Sequence, residues 1–95
     1  RRERGALNLN FPNSIRRYEP RRGCVSFWGS ESSLEVMFQI ELDVLRNLSP
    51  EIVDGSEGSF LIAFDLNRSA ILQAARRAHQ KKRGGYHRLL AENFP

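Results

Sequence analysis

The chain has 95 residues, 40% hydrophobic and 27% charged, with a net charge of +4. That suffices for one small core and not for two, and the longest apolar run, residues 60–64, falls far short of the ~18–20 residues of a membrane span. A single cysteine, Cys24, excludes an internal disulfide framework and suits a reducing compartment, so the expected location is cytoplasmic.

Residues 1–6 carry charge and no apolar anchor and read as a disordered arm, leaving residues 7–95 as one compact domain. Leu7, Leu9 and Phe11 alternate with Asn8 and Asn10, the period of a half-buried strand, which Pro12 and Asn13 end. Residues 14–23 hold four Arg, Tyr18 and Pro20 and read as a connecting loop. Residues 24–28 form a second strand, with Val25 and Phe27 on one face and Cys24, Ser26 and Trp28 on the other; residues 29–33 are a turn. Leu34–Glu41 is the clearest strand, and pairing it with the second as an antiparallel hairpin puts Phe27, Val36 and Phe38 on one core face.

The period then changes. Leu42, Leu45 and Leu48 predict a short helix stopped by Ser49-Pro50. Asp54 and Glu57 have capping-box spacing, with Ser56 a rival cap. No proline interrupts residues 57–83, which read as one long helix, apolar nearly all round in its first half. In its second half Ile71, Ala74, Ala75 and Ala78 face in and Arg76, Arg77, Gln80 and Lys81 face out. Gly84-Gly85 supplies a left-handed stop. Residues 86–94 return to an extended pattern, with Leu89 and Ala91 in phase. The expected fold is α+β: two layers, an antiparallel four-stranded sheet in the order β-β-β-α-α-β, with one short and one long helix on one face.

Catalysis finds little support. A nucleophilic thiol needs a neighbouring base and an orienting partner, and Cys24 lies in an apolar strand with only His79 and His87 to serve. Those three residues lack paired metal-ligand spacing, and a histidine among lysines reads as a surface residue. Glu31, Glu35, Glu41 and Asp43 are explained by solvation and helix capping around the hairpin. Phosphate-cradling and nucleophile-elbow motifs are absent. The sequence thus points to no enzyme, catalytic residue, metal, cofactor or small-molecule substrate.

Charge is sorted along the chain. Residues 1–22 carry seven Arg against Glu3 and Glu19, residues 23–67 carry Arg46 against eight acids, and residues 68–95 carry seven bases against Glu92. Such a chain either pairs its blocks internally or offers one basic surface to a polyanion. The favoured reading is a binding domain whose Arg76, Arg77, Lys81, Lys82, Arg83 and Arg88 meet nucleic acid or an acidic protein surface. The alternative is a homo-oligomeric module, in the simplest case a homodimer, using Trp28 and Met37 on the sheet face away from the helices. Asp65 and Arg68, three apart on a helix, are expected to pair.

The stretch Leu9-Asn10-Phe11-Pro12-Asn13, then Arg17-Tyr18, then Arg22-Gly23-Cys24-Val25-Ser26-Phe27-Trp28-Gly29 resembles the opening of a small bacterial family, domain of unknown function 1488. Ala63-Phe64-Asp65-Leu66-Asn67-Arg68 is similar to that family's helix signature, and residues 86–94 to its closing strand. The resemblance covers nearly the whole chain from Leu7 onward. It implies a proteobacterial origin and a compact α+β fold and supplies no activity, so no catalytic or binding residue is carried over.

Overall fold

In the computed structural model, which describes residues 9–95, the clearest alternating segments form the centre of a sheet. The expected arm at residues 1–6 and the first two residues of the expected opening strand lie outside the described residues. The sheet runs in the order β1 (Arg16–Glu19), β2 (Cys24–Glu31), β3 (Leu34–Glu41) and β4 (Tyr86–Leu89). β2 and β3 pair antiparallel, with Val25 opposite Ile40 and Phe27 opposite Phe38. Their turn is only Ser32-Ser33, both left-handed at φ 50° and 74°, so β2 extends three residues beyond expectation. A two-residue hairpin needs positive φ at both positions to match the strands' twist.

The sheet's outer strands depart from expectation. β1 falls inside the stretch read as a loop and pairs antiparallel with β2, Tyr18 opposite Val25. An edge strand needs few apolar residues: Tyr18 stacks on Phe60 at 5.8 Å, while the Arg16 guanidinium grips Asp65. The expected opening strand reduces to one bridge, Asn10 with Ser30, and Leu9 beside it is buried. Gly29 makes room for it. A Cβ there would sit 3.0 Å from Asn10 O, Leu9 Cδ1 and Phe11 Cε1. β4 runs parallel to β3, Phe38 opposite His87 and Ile40 opposite Leu89, so the sheet is mixed, not purely antiparallel.

α1 (Leu42–Leu48) forms where the leucine spacing places it. The expected long helix is two, α2 (Glu57–Leu66) and α3 (Arg68–Lys81), broken at Asn67. Its side-chain Nδ2 donates to Ala63 O and to Ser49 Oγ, both at 2.8 Å, and its backbone leaves helical geometry at φ −108°, ψ 15°. Backbone bonds from Asn67 N to Ala63 O and from Ile71 N to Asn67 O run on through the interruption. Ser56 caps α2 through a 3.2 Å bond from Ser59 N, and Asp54 Oδ1 accepts from Ser56 N. Gly84 and Gly85 do not supply the expected left-handed stop; α3 ends at Lys82 in extended geometry, and among the described residues the positive-φ glycines are Gly23 and Gly55. The expected strand over residues 86–94 ends at Leu89, and Ala91 begins a 3-10 turn, Ala91–Asn93.

One buried cluster joins the Val25, Phe27, Val36, Phe38, Ile40 and Leu89 side of the sheet to Val44 and Leu45 of α1, Phe60 and Phe64 of α2, and Ile71, Ala74 and Ala75 of α3. Phe27 is its hinge, stacked on Phe38 at 5.3 Å and meeting the edge of Phe64 at 5.2 Å.

Candidate functional site

The end of α3 gathers the sequence's basic residues. Burial of Ile71, Ala74 and Ala75 turns Arg76, Arg77, Gln80 and Lys81 to solvent, and Lys82 and Arg83 continue the exposed run. Arg76 lies over the Phe11 ring at 5.1 Å, and Arg77 Nη2 donates to Asn93 O at 3.4 Å. Arg76, Arg77, Lys81 and Lys82 pair with no acid among the described residues. Arg77 and Lys81, one turn apart, form a wall of a cavity of about 460 Å³ that Glu92, Asn93 and Pro95 close from the C-terminal segment.

The other two bases of the expected set are engaged elsewhere. Arg83 reaches Glu31 Oε2 at 3.5 Å. Arg88 is held from three sides, donating to Glu41 Oε2 and Gln39 Oε1 at 3.2 Å each and to Arg22 O at 2.9 Å. Glu41 therefore serves as this arginine's partner and gives α1 no side-chain cap. Alternation along β4 sends Arg88 to the sheet face away from the core, apart from the α3 cluster, and sequence position alone concealed this.

Behind the basic run lies a buried polar chain that the sequence reading missed. His79 is only 2% exposed, not a surface residue. Its Nε2 lies 2.8 Å from Glu31 Oε1, at the end of β2, and its Nδ1 lies 2.9 Å from His87 Nε2, on β4. His87 stacks on Phe38 at 5.2 Å. The bond from His79, with Arg83 adding attraction, holds the Glu31 carboxyl below its ordinary range. Burial, reinforced by the charge of His79, pushes the His87 ring below its ordinary value of 6.5. A signal for His79 was present: it stands four residues after Ala75 and eight after Ile71, on the stripe that α3 buries.

The other sheet face carries Trp28, Met37 and Tyr86 side by side across β2, β3 and β4. Trp28 is half-buried beneath Arg17, whose guanidinium lies 5.5 Å from the ring, and Tyr86 is half exposed. The next row is polar and closed on itself. Tyr86 OH and Arg88 donate to Gln39 Oε1, Gln39 Nε2 donates to Ser26 Oγ, and Ser26 donates to Glu19. Cys24 is fully buried with its Sγ 3.9 Å from Ser26 Oγ, and neither histidine is bonded to it. Asp65 accepts from Arg16 and Arg68, so the expected Asp65–Arg68 pair forms, though across the break between α2 and α3 and not within one helix, and β1 joins it. Among the described residues no three His, Cys, Asp or Glu are placed to hold a metal ion, and no helix is long and apolar enough to cross a membrane.

Comparison with known proteins gives these arrangements a family. The profile described as Protein of unknown function (DUF1488) matches residues 9–87. The chain belongs to this family. The match begins at the Leu9-Asn10-Phe11 motif and ends at His87, so most of the expected closing segment lies beyond it. No curated protein matches the chain. Among solved structures, the crystal structure of a DUF1488-family protein of unknown function from Shewanella loihica PV-4 is similar, with a TM-score of 0.72 at 16% identity over 86% of this chain and 91% of that one. At that identity the likeness speaks for a shared family fold and carries no residue role across.

Proposed function

We propose that this chain is a non-catalytic binding domain that meets an acidic macromolecule, nucleic acid foremost, through the exposed bases at the end of α3. One observation carries the reading: the ion pairs among the described residues are made elsewhere and pass by Arg76, Arg77, Lys81 and Lys82. Glu19 holds Arg22, Glu31 holds His79 and Arg83, Glu41 holds Arg88, and Asp65 holds Arg16 and Arg68. The internal pairing of basic and acidic blocks thus takes up Arg16, Arg68 and Arg88, and of the bases it leaves without an acid among the described residues, Arg76, Arg77, Lys81 and Lys82 stand together at one helix end. Several bases on one surface are what phosphate contact requires. Arg83 joins them in part, since its side chain is half exposed while it touches Glu31.

Fluorescence anisotropy with labelled single- and double-stranded oligonucleotides, at low and near-physiological salt, tests this. The expected result is binding that weakens linearly with log salt and is lost in the combined Arg76→Ala, Arg77→Ala, Lys81→Ala and Lys82→Ala variant. Equal affinity of that variant and the unaltered chain would sink the reading, and binding of an acidic peptide in place of oligonucleotides would move the partner to protein.

A second reading rests on the contiguous Trp28–Met37–Tyr86 row. An apolar band crossing three strands on the sheet face away from the core suits a second copy of the chain. Sedimentation at rising concentration tests it: a dimer lost on Trp28→Ala supports self-association, and a monomer at every concentration removes it.

A further inference from the structure

We infer that the cavity between α3 and the C-terminal 3-10 turn seats a nucleoside monophosphate, either free or as the phosphorylated end of a strand. This rests on the reading of the α3 bases as phosphate contacts, and it gives two of them a built site. Helical spacing sets the first wall: Arg77, Gln80 and Lys81 stand three and four apart on one face, beside the small Ala78. Glu92, Asn93 and Pro95 form the second.

That second wall is held in place. Leu90 N donates to Asn93 Oδ1 at 2.8 Å, backbone bonds from Asn93 N to Leu90 O and from Phe94 N to Ala91 O close the turn, and Phe94 packs against the core. Arg77 Nη2 reaches Asn93 O at 3.4 Å, so the guanidinium leans toward this wall and keeps its other N–H donors. The side chains of Gln80, Lys81 and Glu92 make no hydrogen bond or ion pair among the described residues. Asn93 uses its side-chain oxygen and keeps its amide N–H groups.

Charge and size then select the ligand. Two cations face one carboxylate, so the occupant is anionic overall and needs donors at the end that meets Glu92. Inorganic phosphate meets the first condition alone. At a few water volumes of about 30 Å³ each, it also leaves most of the cavity's roughly 460 Å³ open. That volume lies within the roughly 300–1,000 Å³ of pockets that enclose small molecules. A nucleoside monophosphate supplies both ends: a phosphate for the Arg77 fork and the Lys81 ammonium, and ribose hydroxyls and base N–H groups for Glu92 and the amide side chains. Ala78 and Pro95 give its base apolar contact. A basic last turn also offsets the helix dipole, but that role requires neither a cavity nor an opposing acid.

Calorimetric titration of the full chain with adenosine 5′-monophosphate, ribose 5-phosphate, inorganic phosphate and adenosine, beside amide NMR shifts, tests the site. The monophosphate should bind about tenfold or more tightly than each of the other three and shift the amides of residues 77–81 and 91–95. Arg77→Ala and Lys81→Ala should each weaken it about tenfold or more. Glu92→Gln should narrow its margin over inorganic phosphate, a change that general destabilisation does not produce. No binding at millimolar concentration, no margin over ribose 5-phosphate or inorganic phosphate, or shifts confined to other residues would overturn the site. Oligonucleotides with 5′-phosphate and 5′-hydroxyl ends name the source: a preference for the phosphate makes the ligand a strand end, and equal affinity with the monophosphate still bound makes it the free nucleotide. Monophosphate binding without oligonucleotide binding would leave the site standing and defeat the broader basic surface. Oligonucleotide binding lost in the combined α3 variant, with no monophosphate binding, would do the reverse.

Discussion

At the scale of single residues, the molecule depends on positions where one atom more or less decides the packing. Gly29 is the sharpest. The backbone of Asn10 exchanges hydrogen bonds of 2.9 and 2.7 Å with Ser30, and this approach is possible only because Gly29 presents no Cβ to Leu9 and Phe11. Gly29→Ala is expected to cost roughly 1–3 kcal/mol, as overpacked sites do, and to shift the amide resonances of residues 9–11 while leaving those of α2 in place. Unchanged urea midpoints and amide shifts would show that the N-terminal segment gives way freely. His79 teaches a related lesson about reading. Arg77 and Lys81 stand two positions to either side, so local composition places it at the surface, whereas its phase on the helix places it in the core. The partner that makes burial tolerable, Glu31, is 48 positions away and was assigned to a solvated turn.

At the scale of elements, Asn67 is the joint on which the crossover turns. Its side chain adds a second bond to the Ala63 carbonyl, which its own backbone N–H reaches at 3.1 Å, and ties α2 to Ser49 just after α1. Asn67→Leu, a good helix former of similar size, should lose about 1–2 kcal/mol for the two broken bonds, read as a lower urea midpoint. A midpoint that rises instead would mean that the two helices prefer to be one. The strands and helices whose apolar period is uninterrupted were legible from sequence: β2, β3, α1 and the amphipathic face of α3 all stand where the pattern put them. β1 was not, because an edge strand with one apolar residue, Tyr18, has no alternation to display. The break at Asn67 was not, because it rests on a side-chain bond to Ser49, 18 positions away, which no local pattern displays. The parallel direction of β4 was not, because it depends on where three helices return the chain, which no local pattern encodes.

At the scale of the whole molecule, charge governs both pairing and pH response. Folding depresses the affinity of His87 for its proton, chiefly by burial, so the unfolded chain binds that proton first. Stability is then fully present above the ordinary histidine value of 6.5 and declines as pH falls through the lower folded value. A second decline follows below the ordinary carboxyl values, 4.5 for Glu31 and 3.8 for Asp54 and Asp65, whose folded values are lowered by His79, by the Ser56 backbone and by Arg16 respectively. Urea midpoints measured from pH 7.5 downward should fall in these two stages, and His87→Phe should flatten the first and keep the second. A single stage in both proteins would contradict the assignment. The same distribution explains how much of the candidate site could be read in advance: the basic run was visible as composition, but which of its members were already spent on Glu31 and Glu41 required the register of β2, β3 and β4.

The parallel alignment of β4 with β3 also sets an order of assembly. The β2–β3 hairpin, β1 and α1 close through contacts between near neighbours in sequence, whereas β4 finds its place only after three helices have crossed the core. Loop-closure entropy is concentrated on that last step. In a refolding chain the β3 edge is therefore the one that waits longest for its neighbour, and it is there that two half-folded chains would exchange strands.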